Sequence, residues 1–579
     1  MPLELVRFYS SFSVGNPDFN NGKWRHSYDY KLIKNNQGQT IRQLPNGQNY
    51  VLTSLDKVIL DNNKWTVTLS DKSVENYNTN GQLINKNNAY GVGWELSYNE
   101  NGKILEVKHT NGKKIKFLWS QNRLIAVIDP AGNKYDYTYD IIQRSSKIFV
   151  FNSNKQFDRL ISVSYPNNTG LRTYHYGENG ASPKMLSGIS IHNKRYNTYY
   201  FSGDKAVQSG RSDGTQVDKL VFGDNYTTVT NPLGAISKYI YTNNQKNKLS
   251  KIERSGVNNC PNSSVSTNYD SNGYVTSKTD WNGIETTYQR DSFGRITQET
   301  SGIQNGSLAK ARIKKYTYID QTVLVSKIQI LDGSNSLIRE ETYQYYAENE
   351  PAKNRIKSHM SCSKTGTTMC STTSYGYSFH SNSMLSAVAV NLNGKNTVYN
   401  YDEQGNLTQI KNAIGQTITY GSYNELGLVG TITDPNGRIA SYNYNARGQL
   451  TSIDENLGGQ IRNTTYQYGP FGIIKVESAG VRKTIDYNDN GTIARITHGN
   501  GSHNISSQEY TYSHIGQLLG VRFKEGDQTR YSQNNQHNQT NHQNRFRNPN
   551  WLLHLESVYF YRCCLQLIHL YFSLIVLRL

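Results

Sequence analysis

Few residues of this sequence have a type and spacing that could support catalysis. Residues 210–214 read Gly-Arg-Ser-Asp-Gly, the spacing that places a nucleophilic serine between a strand and a helix in many hydrolases. Residues 215–221 favour a strand over a helix, so we expect an ordinary β-turn here. No zinc-protease, phosphate-loop or dinucleotide-binding motif occurs. The sequence therefore predicts a protein without enzymatic activity and without a cofactor.

Candidate metal ligands are also isolated. His498 and His503 are close in sequence but have no neighbouring metal-binding residues, and we expect them in exposed turns. Cys362 and Cys370 could close a short disulfide, but we expect free thiols. None of the cysteines has a metal-binding spacing, so no metal site is predicted. The five cysteines are Cys260, Cys362, Cys370, Cys563 and Cys564.

The net charge of +18 comes from 62 Lys and Arg residues against 44 Asp and Glu residues. A charge of this size can favour nucleic acid, anionic lipid or anionic glycan. The basic residues are scattered singly, which is typical of a solvated surface. The alternative is a broad basic surface that faces an anionic partner, and no specific nucleic-acid binding is expected.

The composition excludes several fold classes. The chain has 579 residues with 44 Tyr, 47 Gly and 12 Pro, and 18% of its residues are charged. A helical bundle would need apolar residues at a 3.6-residue period, and collagen would need Gly at every third position. Disordered chains seldom carry this much Tyr at regular spacing. An all-β protein with many turns remains.

One seven-residue pattern recurs along the chain: Tyr, Asp or Asn, two variable residues, Gly, one variable residue and an aliphatic residue. It reads Tyr-Asp-Glu-Gln-Gly-Asn-Leu at residues 401–407 and returns at 423–429, 444–450 and 487–493. Earlier copies lie at 98–104 and 269–275, and the copy at 290–296 has lost its Tyr. The positions that define the predicted structural motif are Tyr269, Asp270, Gly273, Tyr401, Asp402, Gly405, Leu407, Tyr444, Gly448, Leu450, Tyr487, Gly491 and Ile493.

These residue types predict hairpins. Asp or Asn followed three residues later by Gly favours a tight turn between antiparallel strands, and a second turn signal such as residues 434–437 follows in many units. Tyrosines two residues apart share one face of a strand, so stacked units would place them in rows. Such pairs or triplets are Tyr135/Tyr137/Tyr139, Tyr174/Tyr176, Tyr239/Tyr241, Tyr316/Tyr318, Tyr343/Tyr345, Tyr399/Tyr401, Tyr442/Tyr444, Tyr466/Tyr468 and Tyr510/Tyr512.

The pattern resembles the YD repeat of the Rhs (rearrangement hotspot) family, which is related to teneurin, wall-associated and insecticidal toxin-complex shell proteins. Residues 2–10 and 22–29 are similar to the opening of the Rhs shell, although Lys23 intervenes between Gly22 and Trp24. In that opening we expect a structural hydrogen bond at His26. The predicted domains are an Rhs-type opening at 1–145, YD repeats at 146–530 and a divergent tail at 531–579. The expectation for Trp24, Trp65, Trp94 and Trp119 is packing in the first part of the shell.

The resemblance implies a spiral β-sheet that forms an incomplete hollow shell. In the family, such a shell encapsulates a C-terminal toxin used in interbacterial competition, and an upstream domain loads it onto the spike of a type VI secretion apparatus. The family's Asp-Pro-x-Gly-Leu cleavage segment is not matched, because Asp129 and Asp434 begin ordinary repeat turns. The alternative function is a cell-surface module that binds glycans.

The tail departs from the repeat composition at about residue 531. Residues 532–550 are rich in Asn and Gln, and residues 551–579 are strongly apolar. We interpret this break as a changed reading frame or a truncated, recombined gene. Alternatives are a membrane segment at 557–577, which has a suitable length, and, less favoured, a toxin domain. Residues 1–7 do not resemble a secretory signal, so we expect export without a signal peptide, a cell-surface location or a cytoplasmic remnant.

Overall fold

The computed structural model describes residues 3–10, 23–143, 156–242, 248–255, 263–526, 528–534 and 575–578. These residues form 47 β-strands and one 3-10 turn at Pro166–Asn168, with no α-helix among them. The predicted all-β class is confirmed. The tail at 531–579 lies mostly outside the described residues. Within the described ranges, no helix has the length and apolar character to cross a membrane.

The strands are short and follow one another closely in sequence. Their bounds are β1 Val6–Tyr9, β2 Trp24–His26, β3 Lys31–Lys34, β4 Thr40–Gln43, β5 Asn49–Val51, β6 Lys57–Asp61, β7 Lys64–Thr68, β8 Val74–Tyr77, β9 Leu83–Asn87, β10 Gly93–Tyr98, β11 Ile104–His109, β12 Lys114–Ser120, β13 Arg123–Ile128, β14 Lys134–Gln143, β15 Gln156–Ser164, β16 Leu171–Tyr176, β17 Leu186–Ile191, β18 Lys194–Ser202, β19 Lys205–Arg211, β20 Asp218–Phe222, β21 Tyr226–Thr230, β22 Ile236–Tyr241, β23 Leu249–Arg254, β24 Ser263–Tyr269, β25 Val275–Thr279, β26 Ile284–Arg290, β27 Ile296–Gln304, β28 Arg312–Tyr318, β29 Val325–Asp332, β30 Leu337–Tyr345, β31 Ile356–Ser363, β32 Met369–Phe379, β33 Leu385–Leu392, β34 Lys395–Tyr401, β35 Leu407–Lys411, β36 Thr417–Gly421, β37 Thr431–Thr433, β38 Ile439–Tyr444, β39 Leu450–Leu457, β40 Gln460–Gly469, β41 Gly472–Ser478, β42 Val481–Tyr487, β43 Ile493–Asn500, β44 His503–Tyr512, β45 Leu518–Glu525, β46 Gln528–Asn534 and β47 Ile575–Arg578. All the predicted Tyr-x-Tyr segments lie in strands, as expected.

Strands β6–β46 form one antiparallel sheet of 41 strands in sequence order. Each strand pairs with its neighbours in sequence, and within the described ranges no pairing joins β46 to β6, so the sheet is open. Two small sheets stand beside it, one of β2, β1 and β47 and the other of β3, β4 and β5. No break in pairing separates the predicted opening region from the repeats, and the proposed domain bounds stay a prediction.

The two kinds of predicted turn lie at opposite edges of this sheet. In an antiparallel sheet whose strands follow sequence order, the loops after even-numbered strands lie together at one set of strand ends, and the loops after odd-numbered strands lie at the other set. We call each of these two lines of strand ends an edge of the sheet. The YD turns, such as the one at residues 402–406, follow even-numbered strands and form what we call the YD edge. The second turn signals, such as residues 434–437, follow odd-numbered strands and form the opposite edge.

Contacts between these two edges show that the sheet is a spiral. Asn111 donates its Nδ2 hydrogen to the carbonyl of Gln404 at 2.9 Å, across 293 residues of sequence. Lys194 Nζ lies 2.6 Å from Asp489 Oδ1, across 295 residues. From the first of these loops to its partner the sheet advances 23 strands, roughly 110 Å along a flat sheet. The sheet therefore coils back on itself, and the predicted spiral is confirmed.

We call strands β6–β28 the first coil and strands β29–β46 the second coil. Where they meet, the opposite edge of the first coil touches the YD edge of the second. We call this contact line the seam. Arg447, on the YD edge, stacks on the ring of Tyr165 at 4.3 Å and donates from Nη1 to the carbonyl of Thr169 at 3.1 Å. The seam thus joins residues that are far apart in sequence.

The main core lies between the N-terminal segment and one face of the first coil. Trp24 packs on Tyr174 with ring centroids 4.7 Å apart, and Tyr28 meets Trp94 edge-on at 5.2 Å. His26 is fully buried, and its Nδ1 accepts a hydrogen bond from the Tyr28 backbone at 3.2 Å. The expected hydrogen bond of His26 is confirmed. All the tryptophans expected in this region contribute to the cluster, with Trp24 and Trp94 buried and Trp65 and Trp119 packed against it.

Two expectations about single residues are wrong. Cys362 and Cys370 are disulfide-bonded and not free, because they stand directly opposite each other on β31 and β32. His498 is half-buried in β43 and not in an exposed turn, whereas His503 is exposed at the start of β44. In both cases, the pairing of neighbouring strands decides the environment of the residue. Residues 211–214 form the expected β-turn, with the Gly214 amide donating to the Arg211 carbonyl at 3.1 Å.

Candidate functional site

The YD turn is held by the side chain of its second residue. Asp402 Oδ1 accepts hydrogen bonds from the backbone amides of Gln404 at 3.0 Å and Asn406 at 2.8 Å. The Gly405 amide closes the turn by donating to the Asp402 carbonyl at 2.9 Å. Gly405 has a φ of +83°, a conformation that residues with a side chain rarely adopt. The turn therefore needs Asp or Asn at the second position of the motif and Gly three residues after it, as predicted.

The other copies repeat this turn with small changes. Asp270 Oδ1 accepts from the Tyr274 amide at 2.8 Å, and Asn445 Oδ1 accepts from two amides at 3.0 Å. At the 487–493 copy, the Thr492 amide donates to Asn490 instead. The glycines of all these copies have a positive φ: Gly102, Gly273, Gly294, Gly405, Gly427, Gly448 and Gly491.

The tyrosine and the aliphatic residue of each motif are cross-strand partners. Tyr401 pairs with Leu407 across the hairpin, and the register shifts by one residue between Asn400 and Tyr401. This β-bulge turns the tyrosine away from the row of its neighbours. The same pairs with the same shift are Tyr269 and Val275, Tyr444 and Leu450, and Tyr487 and Ile493.

The motif tyrosines also join successive units, which the sequence did not reveal. Tyr444 donates its hydroxyl hydrogen to the carbonyl of Val429 at 3.0 Å, and Val429 is the aliphatic residue of the preceding motif. Tyr468 bonds the carbonyl of Leu450 at 2.8 Å in the same way. Each tyrosine thereby satisfies a backbone acceptor at the YD edge. Further examples are Tyr98 to Leu83, Tyr139 to Leu124, Tyr176 to Leu160, Tyr269 to Leu249, Tyr318 to Ile296, Tyr423 to Leu407 and Tyr487 to Ile473.

The two faces of the sheet differ in chemistry. The pairing registers place the first tyrosine of each Tyr-x-Tyr pair on one face, which we call the aromatic face. Across β34–β39 this face carries Tyr399, Ile410, Ile418, Tyr420, Ile432, Ala440, Tyr442 and Ile453. The other face carries Asn400, Gln409, Thr419, Thr433 and Ser441.

The aromatic face is continuous with the face that the N-terminal segment covers. Arg7, on β1, is fully buried against this face, and its Nη1 donates to the Tyr137 hydroxyl at 3.1 Å. Burial alone would lower the pKa of Arg7, but the phenols of Tyr174, Tyr137 and Tyr165 raise it above its usual range. The guanidinium therefore stays charged inside a ring of phenols. No sequence signal distinguished this arginine from the exposed ones.

A second buried charge ties the start of the sheet to the N-terminal segment. Glu75 is fully buried and accepts from Arg42 Nε at 2.5 Å and Nη2 at 2.6 Å. Lys86 Nζ lies 2.8 Å from the same carboxylate, and Tyr77 donates to it at 2.6 Å. Burial would raise the pKa of Glu75, but Arg42 and Lys86 bring it below its usual value. This network joins β4 to β8 and β9.

One polar cleft lies beside the N-terminal segment. It has a volume of about 360 Å³ and lies between residues 26–31 and the YD unit at 98–104. Asp29, Tyr30, Gln82 and Glu100 are among its lining side chains. It combines hydrogen-bonding groups with aromatic rings. Within the described ranges, no group of three metal-binding side chains converges here or elsewhere.

A sheet assembled from many similar hairpins defines an all-β repeat protein. The RHS Repeat family model matches residues 269–302 and 401–439, which include the YD units at 269–275, 401–407 and 423–429 and the copy without Tyr at 290–296. The chain therefore contains RHS repeats, and the resemblance seen in the YD motif is confirmed for these two segments. No curated protein sequence matches the chain.

Three solved structures are similar over part of the chain. A Tc holotoxin pore of Photorhabdus luminescens is 12% identical with a TM-score of 0.37, covering 87% of this chain and 32% of that one. The TcdB2–TccC3 crystal structure is 12% identical with a TM-score of 0.30, covering 87% and 35%. A porin-like protein from Bacteroides uniformis is 13% identical with a TM-score of 0.17, covering 42% and 90%. The chain spans about a third of the length of the two toxin chains.

Proposed function

We propose that this chain is a non-enzymatic scaffold whose spiral sheet forms the wall of a shell around a polypeptide cargo. One observation carries the proposal. In the first coil, the N-terminal segment covers the aromatic face. Beyond the first coil, no described residue covers this face. Half-buried rings such as Tyr399 and Tyr442 line the uncovered part. An apolar surface of this extent marks a binding surface in soluble proteins.

An unfolded polypeptide is the cargo that suits this face. Rows of tyrosines offer flat apolar area together with hydroxyl groups, and they do not require one particular partner sequence. By resemblance to the Rhs family, the cargo would be a C-terminal toxin domain, delivered in interbacterial competition through a type VI secretion spike. The support for this delivery route is the resemblance of residues 2–10 and 22–29 to the Rhs shell opening.

The proposal is tested by retention of an unfolded probe. The full chain is refolded in the presence of reduced, carboxymethylated α-lactalbumin, separated by size exclusion and treated with protease. We expect the probe to co-elute and to be protected. Tyr442→Arg, on the aromatic face, should reduce retention, whereas Asn443→Arg, on the next residue and the other face, should not. Equal retention by both variants, or none by the native chain, would contradict the proposal.

Glycan binding is the second candidate, and the polar cleft favours it. Asp29, Glu100 and Gln82 offer hydrogen-bonding groups beside the ring of Tyr30, a combination that suits sugar hydroxyls and a sugar ring. Immobilised glycans would be screened with the native chain and with Glu100→Gln, which alters an exposed cleft residue. Binding that is lost in this variant would support the glycan function, and absence of binding to any glycan would reject it.

A further inference from the structure

The first residues of β32 extend past the strand that flanks them. Pairing of β32 with β31 begins at Met369, whereas its pairing with β33 begins only at Thr373. On the other side of the hairpin, β30 supports β31 as far as Lys364, whose amide donates to the Ile338 carbonyl at 2.7 Å. We call residues 365–370 the hairpin tip. Among the described residues, strand pairing holds this tip through β31 alone.

Support from the neighbouring hairpin starts just after the tip. Asn393, in the turn between β33 and β34, accepts a hydrogen bond at Oδ1 from the Thr372 amide at 3.0 Å. Its Nδ2 group donates to the Ser371 hydroxyl at 3.2 Å. Contacts with the rest of the sheet therefore hold β32 from Ser371 onward.

The hairpin tip buries little surface of its own. Every residue from 365 to 370 is exposed, and Met369 is 71% exposed. Segments with few buried contacts open locally at low free-energy cost. The pairing of the tip with β31 therefore needs another source of stability.

A disulfide supplies this stability at the base of the tip. Cys362 on β31 and Cys370 on β32 are directly opposite each other, eight residues apart in sequence, and their sulfurs are bonded. A disulfide stabilises the folded chain mainly because it restricts the unfolded loop that it closes. Breaking this bond should thus release the tip and leave the rest of the sheet paired.

The two bonded cysteines differ in exposure. Cys370 is exposed, whereas Cys362 is 4% exposed. Cys362 pairs with Glu340, three residues before Tyr343, and so lies on the face opposite the aromatic face. A thiol can therefore reach the sulfur of Cys370 without contacting the aromatic face, and attack is favoured at the accessible sulfur.

We propose that the Cys362–Cys370 bond is a thiol–disulfide exchange site that releases the hairpin tip in a reducing environment. The co-reactant is a small dithiol. Its thiolate attacks the Cys370 sulfur and forms a mixed disulfide, while Cys362 leaves as a thiolate and takes a proton from water. The second thiol of the reductant then displaces Cys370. The dithiol is oxidised to a disulfide, and its two protons pass through the solvent to the two cysteines.

The redox state of the surroundings would thus set the state of the tip, which is paired when oxidised and released when reduced. The proposal concerns the other face of the sheet and does not depend on the proposed cargo.

The test treats the folded full chain, isolated without reductant, with dithiothreitol and follows hydrogen exchange by mass spectrometry. We expect exchange at Met369 and Cys370 to become at least tenfold faster. The hairpin end at residues 478–481, on the same edge and without cysteine, should not change. Cys362→Ala with Cys370→Ala should exchange fast without reductant and show no further response. Cys260→Ala is the matched control, because it removes a cysteine outside the bond and should respond like the native chain.

A monothiol identifies the sulfur that is attacked. Brief treatment with 2-mercaptoethanol, stopped with iodoacetamide, should leave the mercaptoethanol adduct on Cys370 and the alkyl group on Cys362. The reverse arrangement would overturn the assigned site of attack. Free thiols at both positions before reduction, or a bond that dithiothreitol reduces only after the chain is unfolded in urea, would overturn the proposal. Reduction without faster exchange at the tip would also overturn it.

Discussion

The hydroxyl of Tyr423 donates a hydrogen bond to the carbonyl of Leu407, 2.6 Å away. Leu407 is the last residue of one YD motif and Tyr423 is the first residue of the next, so the bond links two repeat units at the YD edge. The same link recurs along the sheet. The tyrosine that names the motif therefore acts between units, while the aspartate and glycine act within one turn.

Removing one such link should loosen two adjacent units without unfolding the sheet. Tyr444→Phe deletes the hydrogen bond to Val429, which is expected to cost about 1 kcal/mol. Hydrogen exchange should become roughly fivefold faster in β37 and β38. Tyr442→Phe is the control, because within the described residues its hydroxyl makes no hydrogen bond. Equal effects of the two variants would contradict the role of the link.

The motif glycine is required for its backbone conformation. Gly405→Ala would place a side chain at a φ of +83° and bring its Cβ within 2.6 Å of Met384 Cε. We expect a cost of about 1–2 kcal/mol from the backbone alone, seen as faster exchange of the turn amides. Gly376→Ala is the matched control, since the added Cβ would meet only Ala389 at 3.7 Å. An unchanged turn in the Gly405 variant would show that the positive φ is not needed.

The seam should depend on its arginine contacts. Arg447→Met keeps the length of the side chain but removes the stacking on Tyr165 and the hydrogen bond to Thr169. Hydrogen exchange should accelerate in the loop at residues 165–170, which lies 278 residues away in sequence. Arg438→Met is the control, because Arg438 is half-exposed on the opposite edge of the second coil. Unchanged hydrogen exchange at residues 165–170 in the Arg447→Met variant would contradict the contact between the two coils at the seam.

The buried carboxylate of Glu75 should make stability depend on pH. Its folded-state pKa is lowered, so its contribution is complete above the ordinary carboxyl pKa and is lost as the pH falls through the lowered value. Glu75→Gln leaves Arg42 and Lys86 without their buried counter-charge and should cost about 3–5 kcal/mol at pH 7.

The difference between the native chain and Glu75→Gln should shrink in acid, which denaturant unfolding followed by tryptophan fluorescence would measure. Glu106→Gln is the control, because Glu106 pairs with Lys114 on the exposed surface. A difference that stayed constant down to strongly acidic pH would contradict the assigned pKa direction.

Much of the local structure could be predicted from the sequence. The residue types of the YD motif specify a turn, and Tyr-x-Tyr specifies a strand, because both signals act over a few residues. The confirmed turn at Asp402 and Gly405 and the strand placement of Tyr399 and Tyr401 are of this kind.

Features that depend on distant contacts could not be predicted. The partner of Arg447 is 278 residues away, and nothing in the spacing indicates how many strands complete a coil. Burial of Arg7 and Glu75 depends on the N-terminal segment crossing the first coil. The Cys362–Cys370 bond was accessible in principle, since two cysteines around a Gly366 turn face each other once the hairpin register is known.

The spiral is tested most directly by the distance between two loops that only coiling brings together. Ketone-bearing residues at Lys114 and Glu403 would carry spin labels and leave the native cysteines untouched, and pulsed electron resonance would measure their separation. The spiral predicts a short, well-defined distance, because the loops at residues 111 and 404 are in contact. A separation near the roughly 110 Å of a flat 23-strand span would leave no measurable coupling and would contradict the spiral.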